Sequence, residues 1–529
     1  MSTHEYDVAI VGYGPVGVTA ANLLGQRGLR VLVAEKDPSL YSRARAMSTD
    51  EEILRIWQRI GLADRLQDNM LSEMPIDFVD RRGRSILGLT PRRRGNGYPP
   101  QSFIHQPALE GVLRDGVQRF ANVTVCLDTE VVDHQQDVDG VALTLRELAA
   151  ATSRRVRARY VIAADGGSSP TRSRLGIGFD GRTYEDRWVV IDTKVRQTWP
   201  EVDRLRFHCD PARPSVDCPA PLGHHRWEFP VLADDDEEEL VTAGAVRRLL
   251  SDQGIGPDNV EVLRAVVYSH HVRFASRWRA GRVFLAGDAA HVMPPWIGQG
   301  MASGIRDVHN LCWKLAGVLD GTLPDEALDT YETERMPHVR ALTSAAVNFG
   351  RIITERRPAL TALRDPLLRT VGSAPLVGRY LRQGDWFPDT QYRRGLLARS
   401  RPRLARRERK AIGRMIPQPW VQTGDEGRKV RLDDALGSGW AVLSLGGDPS
   451  ASATWHRQGV PCWPVHLTGA ASHDGALVDV DGVLTAWMRA HGADVLAVRP
   501  DGIVYAAAGR HQVLSASPLL KAVGVRRGT

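Results

Sequence analysis

Apolar and polar residues come in blocks over the first forty positions, and the blocks predict a strand, a helix and a second strand. Residues 7–11 and 30–35 are short apolar runs of the kind buried in parallel sheets. A glycine-rich break and a helical stretch over residues 18–24 separate the two runs. Parallel strands need a crossover of this length. The chain is therefore predicted to begin with a parallel β–α–β unit.

The middle of the chain has the two-residue period of an antiparallel sheet. Strands are predicted at residues 188–191, 205–208 and 226–232. A buried strand at residues 282–286 and helices over residues 300–382 then restore the α/β pattern. We interpret this order as one α/β domain interrupted by an inserted sheet.

The end of the chain is predicted to form a small α/β domain of its own, because strands and helices alternate there again. A basic stretch at residues 399–410 precedes it. We interpret that stretch as an interdomain surface segment, with an anionic surface or nucleic acid as the alternative partner. The predicted units are residues 1–180 and 276–385 for the interrupted α/β domain with its helices, 181–275 for a substrate-binding sheet domain, 386–415 for a basic linker and 416–529 for the C-terminal domain.

Composition narrows the class of protein without naming its chemistry. The 529 residues allow about three domains, and 43% hydrophobic and 25% charged residues are ordinary for a globular protein. The net charge of +7 is too diffuse for a dedicated nucleic-acid binder, and no apolar run is long enough for a membrane helix. Five scattered cysteines without a C-x-x-C pair favour reduced thiols and a cytoplasmic location. A monomer and a homodimer both remain open.

The glycine-rich break has the spacing of a dinucleotide-binding turn. Gly12 permits a tight turn, Gly14 lets backbone amides approach a pyrophosphate, and Gly17 lets the helix pack closely on the strand. Glu35 ends the second strand, where a carboxylate can accept hydrogen bonds from both ribose hydroxyls. Because that acid would repel a 2′-phosphate, the motif favours FAD or NAD over NADP.

Two later segments distinguish FAD from NAD. Residues 165–172 read Asp-Gly-Gly-Ser-Ser-Pro-Thr-Arg after a predicted strand, and residues 287–301 begin Gly-Asp-Ala-Ala-His after another. The second segment places Asp288 at the carboxyl end of a strand and a helix N-terminus near Gly300. An NAD dehydrogenase needs neither segment.

The three motifs together resemble those of the class A flavoprotein aromatic hydroxylases, the family that includes para-hydroxybenzoate hydroxylase and phenol hydroxylase. Within it, residues 50–55, 226–229, 277–288 and 498–502 are most similar to the 3-(3-hydroxyphenyl)propionate hydroxylase group. The resemblance implies an α/β fold with a Rossmann-type FAD-binding domain, an inserted antiparallel-sheet substrate domain and a C-terminal thioredoxin-like domain. That last domain has no redox pair, since Cys462 stands alone.

The resemblance also implies roles for individual residues. Glu35 would hold the adenosine ribose, Arg45 would lie near the cofactor phosphates, and Gln106 would contact the flavin side. Asp165 would serve cofactor binding and the encounter with the pyridine nucleotide, with Arg172 supporting its loop. The full set of cofactor-binding residues expected on this basis is Gly12, Gly14, Pro15, Val16, Gly17, Glu35, Lys36, Arg45, Gln106, Asp165, Gly287, Asp288, Pro295, Gly298, Gly300 and Met301.

Asp288 would hold the ribityl chain, Pro295 would lie against the isoalloxazine ring, and amides from Gly298 to Met301 would face its pyrimidine end. Ala302 departs from the family, in which many relatives carry asparagine. NADPH or NADH would reduce the flavin transiently, because no second dinucleotide motif is present. Dioxygen is the implied co-substrate, and no metal is required.

The implied reaction is hydroxylation of a phenolic ring, ortho to its hydroxyl, by a flavin C4a-hydroperoxide. The expected substrate is of the 3-hydroxyphenylpropionate type. One alternative is the tailoring of a polyketide or another aromatic natural product. The other is a non-oxygenating flavoprotein, such as a reductase.

Candidates for activating the phenol come from the inserted sheet and from one loop. They are His225, Tyr268, His270 and Asp50, with His271 beside them. Arg187 or Arg226 are the candidates for meeting a substrate carboxylate. Trp227 and Phe229 are expected in the core of the sheet.

Overall fold

The computed structural model describes residues 5–40, 45–398, 408–423, 427–445, 452–467, 476–509 and 512–521. Their strands are β1 Tyr6–Val11, β2 Val31–Ala34, β3 Ser48–Asp50, β4 Met70–Ser72, β5 Ile76–Val79, β6 Ser85–Leu89, β7 Gln101–Ile104, β8 Val123–Cys126, β9 Thr129–Gln136, β10 Val141–Glu147, β11 Thr152–Ala163, β12 Phe179–Val195, β13 Leu205–His208, β14 Ser215–Ala220, β15 His224–Pro230, β16 Val260–Ala275, β17 Arg279–Ala280, β18 Val283–Leu285, β19 His291–Val292, β20 Trp420–Thr423, β21 Arg428–Arg431, β22 Ala441–Leu445, β23 Cys462–Leu467, β24 Leu477–Asp479, β25 Val495–Val498 and β26 Val504–Ala508.

The α-helices are α1 Pro15–Gly25, α2 Glu51–Arg59, α3 Ala63–Gln67, α4 Gln106–Val117, α5 Pro170–Arg174, α6 Glu237–Leu240, α7 Ala243–Ser251, α8 Gly300–Leu319, α9 Thr330–Ile353, α10 Pro358–Ser373, α11 Val377–Arg382, α12 Glu408–Ala411, α13 Leu432–Leu436, α14 Ala453–Arg457 and α15 Val483–Ala490. Short 3₁₀ turns occur at Gly287–Ala289, Pro295–Ile297 and Asp325–Asp329. None of the helices in the described ranges has the length and apolarity needed to cross a membrane.

The first sheet forms around the two apolar runs at the start of the chain. Its strand order is β17-β18-β11-β1-β2-β8, and β1 pairs in parallel with both β2 and β11. The buried side chains of β1 and β2 pack against α1, α4 and α8 in the main hydrophobic core. Parallel strands covered by helices are the Rossmann-type arrangement predicted for the FAD domain.

The second sheet is the inserted one, with strand order β19-β16-β12-β15-β14-β13-β5-β6. Its long strands β12 and β16 pair antiparallel over most of their length. Two of its strands, β5 and β6, precede the segment at residues 181–275 in the chain, and β13 pairs in parallel with β5. The sheet is thus continuous with part of the polypeptide that sequence alone placed in the FAD domain.

The C-terminal sheet has the core order β23-β22-β25-β26. Strands β22 and β23 are parallel, whereas β25 is antiparallel to both β22 and β26. With α14 and α15 in the connections, this order is thioredoxin-like. Residues 399–407, which make up most of the basic run in the predicted linker, lie outside the described residues.

Buried ion pairs fix the C-terminal unit against the FAD domain. Arg499 donates to Glu334 on α9 at 2.8 and 2.9 Å, and Arg55 on α2 donates to both oxygens of Asp433 at 2.7 Å. All four side chains are at most 2% exposed. Because removing one partner of such a pair strands the other charge away from water, the contacts specify one docked arrangement.

Candidate functional site

The glycine-rich turn between β1 and α1 forms one end of a large cavity. A Cβ atom on Gly12, whose φ is +100°, would lie 2.4 Å from the Ala164 carbonyl oxygen, and one on Gly17 would lie 2.0 Å from the Gly12 oxygen. Gly14, Pro15 and Val16 line the cavity at the N-terminus of α1. Backbone amides at a helix N-terminus suit a pyrophosphate.

Glu35, which follows β2, holds the glycine-rich turn by a hydrogen bond from the turn's backbone. Glu35 accepts hydrogen bonds from the backbone N–H groups of Tyr13 at 2.6 Å and Asp37 at 3.0 Å. Neither Glu35 nor the exposed Lys36 is among the residues that line the cavity. The structure therefore gives Glu35 a role in shaping the turn and separates Lys36 from the cavity wall.

Gln106, at the start of α4, holds the loop that carries Arg45. Its side-chain oxygen accepts from the backbone N–H groups of Arg45 at 2.9 Å and Ala46 at 2.7 Å, and its nitrogen donates to Glu110 at 2.7 Å. Gln106, Arg45 and Ala46 all line the cavity. This clamp places Arg45 at the wall predicted to face the cofactor.

The second motif builds a support beside the cavity. Asp165 accepts from the Ser169 hydroxyl at 2.5 Å and from the Thr171 N–H at 3.0 Å, so its carboxylate caps α5. Arg172 donates to the carbonyl oxygens of Gly167 at 2.8 Å and Ala289 at 3.0 Å. Ala164 and Gly166, on either side of Asp165, line the cavity, whereas the Asp165 carboxylate is directed into its own loop. The part that Asp165 plays in cofactor binding stays a prediction.

The third motif exposes a carboxylate to the cavity at the end of β18. Gly287 has φ +60°, and a Cβ there would lie 2.9 Å from the Val16 side chain, so the two motifs touch. The next residue, Asp288, lines the cavity and has no hydrogen-bond donor among the described residues. Burial by the surrounding protein raises the pKa of Asp288, whereas His291 and Arg45 oppose that rise. A ligand hydroxyl would satisfy this carboxylate.

The turn from Pro295 to Met301 continues the same wall. Gly298 has φ +64°, and a Cβ there would lie 2.2 Å from the Ser48 hydroxyl oxygen. Helix α8 begins at Gly300. Pro295, Gly298, Gly300 and Met301 line the cavity together, whereas Ala302 is fully buried. The positive end of the α8 dipole thus faces the cavity.

Part of the cavity lining is apolar, and we call that part the apolar chamber. The whole cavity has a volume of about 610 Å³. The chamber is lined by Ile76, Leu89, Phe103, Leu205, Phe207, Val216, Cys218, Trp296, Phe349 and Trp386. The open glycine turn, the unpartnered Asp288 and the α8 N-terminus lie in one continuous space, which fits an extended dinucleotide reaching into an apolar pocket.

The candidates for phenol activation differ in whether their side chains reach the cavity. Tyr268 on β16 lines the cavity and is 48% exposed. His270 is buried two residues farther along, with its ring stacked on Trp188 at 5.9 Å and edge-on to Trp296 at 5.5 Å. Burial lowers the pKa of His270 to about 4. His270 lies behind the wall formed by Trp296 and does not line the cavity.

The structure removes His225 from the candidates. Its side chain is fully buried on the opposite face of the sheet, 4.3 Å from the Trp227 ring and 4.9 Å from the Trp199 ring. Because successive side chains of a strand point to opposite faces, His225 shares a face with Trp227, and Arg226 shares one with Glu228. His271 is three positions from Tyr268 on β16, so its side chain points to the opposite face, and it is absent from the cavity lining.

Asp50 lines the cavity, but its carboxylate is fully engaged. It caps α2 by accepting from the N–H groups of Glu52 and Ile53, and it also accepts from Gln299 at 3.0 Å and Arg306 at 2.7 Å. Burial alone would raise the pKa of Asp50, but Arg306 and the hydrogen bonds outweigh burial and lower it. Asp50 is therefore a poor proton acceptor and a good anchor for α8.

Neither arginine predicted to meet a substrate carboxylate lies in the chamber. Arg187 is paired with Glu237 at the surface. Arg226 is 4% exposed and donates to Asp192 at 2.7 Å and to the Arg45 carbonyl oxygen at 3.0 Å. Both have structural partners, so this prediction is corrected.

Sequence reasoning missed the segment after α11 that covers the chamber. Most of residues 382–390 line the cavity. Arg94 donates to the carbonyl oxygens of Gly384 at 2.6 Å and Phe387 at 3.0 Å and forms an ion pair with Asp389. These contacts join positions almost 300 residues apart in the chain, so no local pattern predicts them.

Glu228 on β15 is the second residue that sequence reasoning did not identify. It lines the cavity on the same face as Arg226. The alternation of residues 226–229 was visible in the sequence, and it separates Glu228 from Trp227, but it does not say which face meets the cavity.

Comparisons with known proteins agree with this geometry. Residues 5–346 match the family model described as an FAD binding domain, and residues 413–522 match the model described as the HcaD C-terminal domain. The chain is 37% identical over 515 residues to a 3-(3-hydroxy-phenyl)propionate/3-hydroxycinnamic acid hydroxylase of Burkholderia cenocepacia (strain HI2424), covering 94% of this chain and 93% of that protein.

A protein of the same name from Escherichia coli (strain K12) is 36% identical over 519 residues, covering 96% of this chain and 92% of that one. Among solved structures, aklavinone-11 hydroxylase in a ternary complex with FAD and aklavinone superposes with a TM-score of 0.76 at 24% identity. It covers 98% of both chains. At that identity the superposition concerns the fold alone.

Proposed function

This chain belongs to the FAD-dependent aromatic hydroxylase family that contains the 3-(3-hydroxyphenyl)propionate/3-hydroxycinnamic acid hydroxylases, and we propose that it hydroxylates a phenolic ring ortho to the existing hydroxyl. The proposed substrate is a 3-hydroxyphenyl alkanoic or alkenoic acid, the class named for its relatives. When bound, FAD would take electrons from NADPH or NADH and activate dioxygen for transfer of one oxygen atom to the ring.

One observation carries the proposal: the dinucleotide site and the apolar chamber are a single cavity. Gly14 and Val16 would hold the pyrophosphate with backbone amides, and Asp288 would accept from a ribityl hydroxyl. The amides that open α8 would face the flavin ring, in the same cavity as the apolar chamber. The apolar side chains of the chamber would limit the access of water to the site of oxygen transfer.

The chain's own residues would bind, orient and shield the ring. Phe103, Phe207 and Phe349 supply flat apolar surface to a phenyl group. The segment at residues 382–390 covers the chamber and is tied by Arg94. A cytoplasmic location and a monomeric or homodimeric state remain predictions.

The first test concerns Asp288. Asp288→Asn keeps the shape of the side chain but removes the charge, and we expect purified variant protein to carry at least ten-fold less flavin than the wild type at equal FAD concentration. Asp329→Asn, a change at an exposed carboxylate paired with Arg279 on the surface, is the matched control and should retain its flavin. Full flavin occupancy in Asp288→Asn would refute the assigned role.

The second test concerns the substrate. The holoenzyme is supplied with NADPH or NADH and with 3-(3-hydroxyphenyl)propionate, phenol lacking a side chain, or a polycyclic phenol, and hydroxylated product is counted per nicotinamide oxidised. The proposal predicts tight coupling with the first compound. Coupling only with the polycyclic phenol would assign the protein to natural-product tailoring, and nicotinamide oxidation without hydroxylated product from any phenol would identify a reductase.

A further inference from the structure

Glu228 is a carboxylate of the cavity wall that has no hydrogen-bond donor among the described residues. Its side chain is 17% exposed, and it lines the cavity. Arg226 Nη1 lies 4.0 Å from Glu228 Oε1, at the limit of an ion pair. A mostly buried carboxylate that no protein group donates to is unusual in a folded protein and calls for an explanation.

Arg226 does not satisfy this carboxylate because it is directed elsewhere. Its Nε donates to Asp192 at 2.7 Å, and its Nη1 donates to the Arg45 carbonyl oxygen at 3.0 Å. Asp192 in turn accepts from Arg264. The arginine therefore fixes the wall of the site, and Glu228 is left with its oxygens toward the cavity.

The surroundings of Glu228 are mostly apolar. It pairs with Val190 on β12 and with Val216 on β14, and Val216 also lines the cavity. The titratable and charged groups around it are Arg226, Asp192, Cys218 and Tyr268. Burial raises the pKa of Glu228; Arg226 opposes this rise and Asp192 adds to it.

We propose that Glu228 is the general base that accepts the proton of the substrate's ring hydroxyl. The inference rests on the proposed hydroxylase function. In this step the phenol O–H bond breaks, its proton forms an O–H bond on the Glu228 carboxylate, and the electron pair stays on the ring as phenolate.

The remaining atoms of the reaction balance without further groups from the protein. The ring carbon ortho to the phenolate takes one oxygen atom of dioxygen, and the proton that this carbon loses completes the new hydroxyl. The second oxygen atom leaves as water: the hydride of NADPH or NADH supplies two electrons and one proton through the flavin, and solvent supplies the other proton. Glu228 then returns its proton to the original phenolate oxygen.

The other titratable groups near the chamber are less suited to this role. Asp50 already accepts four hydrogen bonds, and its pKa is lowered. Burial raises the pKa of Tyr268, with Asp288 and Glu228 adding to the rise, so its hydroxyl stays protonated at neutral pH. A base must be within reach of the substrate hydroxyl and ionised at the working pH. Of these three, Glu228 alone combines a free acceptor with a place on the wall.

The test compares wild-type holoenzyme with Glu228→Gln and Glu228→Asp across a pH series. The carboxylate is the active form, so wild-type hydroxylation should fall on the acidic side as Glu228 takes up a proton. Glu228→Gln should hydroxylate about 100-fold more slowly near neutral pH, lose that acidic limb and release peroxide instead of product. Glu228→Asp should keep the limb and recover part of the rate.

A second measurement separates proton transfer from positioning. With 3-(3-hydroxyphenyl)propionates fluorinated on the ring, whose hydroxyls are more acidic, the rate of Glu228→Gln should rise towards that of the wild type. It should also rise at alkaline pH, where the phenol ionises unaided near pH ~10. Flavin content, melting temperature and substrate affinity from flavin spectra are measured on every variant, and all should stay close to wild type.

Glu261→Gln is the matched control. Glu261 lies on β16 of the same sheet, is half exposed and pairs with Arg196 at 3.0 Å, away from the cavity. It should behave as wild type. A Glu228→Gln enzyme with wild-type coupling and an unchanged acidic limb would overturn the proposal, as would a loss equal at every pH and for every phenol. Absence of product from the wild type would overturn the proposed function itself, and this inference with it.

Discussion

The two faces of the inserted sheet differ in what they bury. On one face, Trp227 and Phe229 of β15 pack with Val189 and Ile191 of β12 beneath α7, and all four are fully buried. On the other, Arg226, Glu228 and Tyr268 face charged partners or the cavity. Along β15, residues that pack in the core therefore alternate with residues that face the cavity or its charged neighbours.

A histidine on a strand of the substrate domain does not contact substrate when its side chain lies on the core face of the sheet. His225 is one position from Arg226, and that single step moves its side chain from the cavity face to the core. A carboxylate two positions from Arg226 returns to the cavity face. The phase of the strand, more than the chemistry of the residue type, decides the role.

Breaking the core face should have the largest effect on stability. Trp227→Ala removes a fully buried indole and should lower the free energy of unfolding by about 3–5 kcal/mol. Chemical denaturation with flavin and fluorescence readouts measures the change, and Trp227→Phe should recover much of it. A loss below about 1 kcal/mol would show that this face is not a packed core.

His270 tests the buried part of the cavity face through pH, because it lies on the same face of β16 as Tyr268 and packs against Trp296. Burial lowers its pKa from 6.5 to about 4, so the unfolded chain binds more protons than the folded one between those values. Stability that is present above pH 6.5 is therefore lost as the pH falls toward 4. Relative to His270→Phe, wild type should lose about 2–3 kcal/mol between pH 7.5 and pH 4.5.

The His270→Phe variant keeps an aromatic ring between Trp188 and Trp296. Other buried histidines, including His309 with a pKa lowered to about 3, titrate in both proteins and cancel in the difference. Parallel stability curves for the two proteins would contradict a neutral, buried His270.

The smallest effect is expected at the exposed edge of the cavity face. Tyr268→Phe removes a hydroxyl that has no hydrogen-bond partner among the described residues, from a side chain that is 48% exposed. Unfolding free energy should change by less than about 0.5 kcal/mol. Substrate affinity, measured by the change in the flavin spectrum, shows whether that hydroxyl contacts the ligand; a large loss of stability would place Tyr268 in the core.

How much of the site was predictable depends on how far apart its residues lie in the chain. Gly12, Gly14 and Gly17 are part of one turn, and their spacing alone predicts the turn, the helix and a phosphate-sized opening. The place of Asp288 at the cavity was predictable as well, because this residue follows the carboxyl end of β18. The wall at Arg94 and Phe387 does not follow from spacing, since its contacts cross almost the whole FAD domain.

Asp50 also shows that local sequence cannot predict contacts with distant parts of the chain. The sequence places it before a helix, where a carboxylate is an expected N-cap. Its contacts with Gln299 and Arg306 come from the far side of the domain, and these contacts turn a candidate base into an anchor.

The sequence by itself determined the dinucleotide-binding unit, the inserted sheet and the C-terminal addition, because strand and helix periods and glycine turns are set by neighbouring residues. Only the tertiary structure decided which face of the sheet meets the cavity and which cavity carboxylates have no hydrogen-bond donor in the part of the chain that the structure describes. Both depend on contacts between side chains that lie hundreds of residues apart in the sequence. The hydrogen bonds and the burial at those contacts determine whether a group is a helix cap, a core residue or a free acceptor.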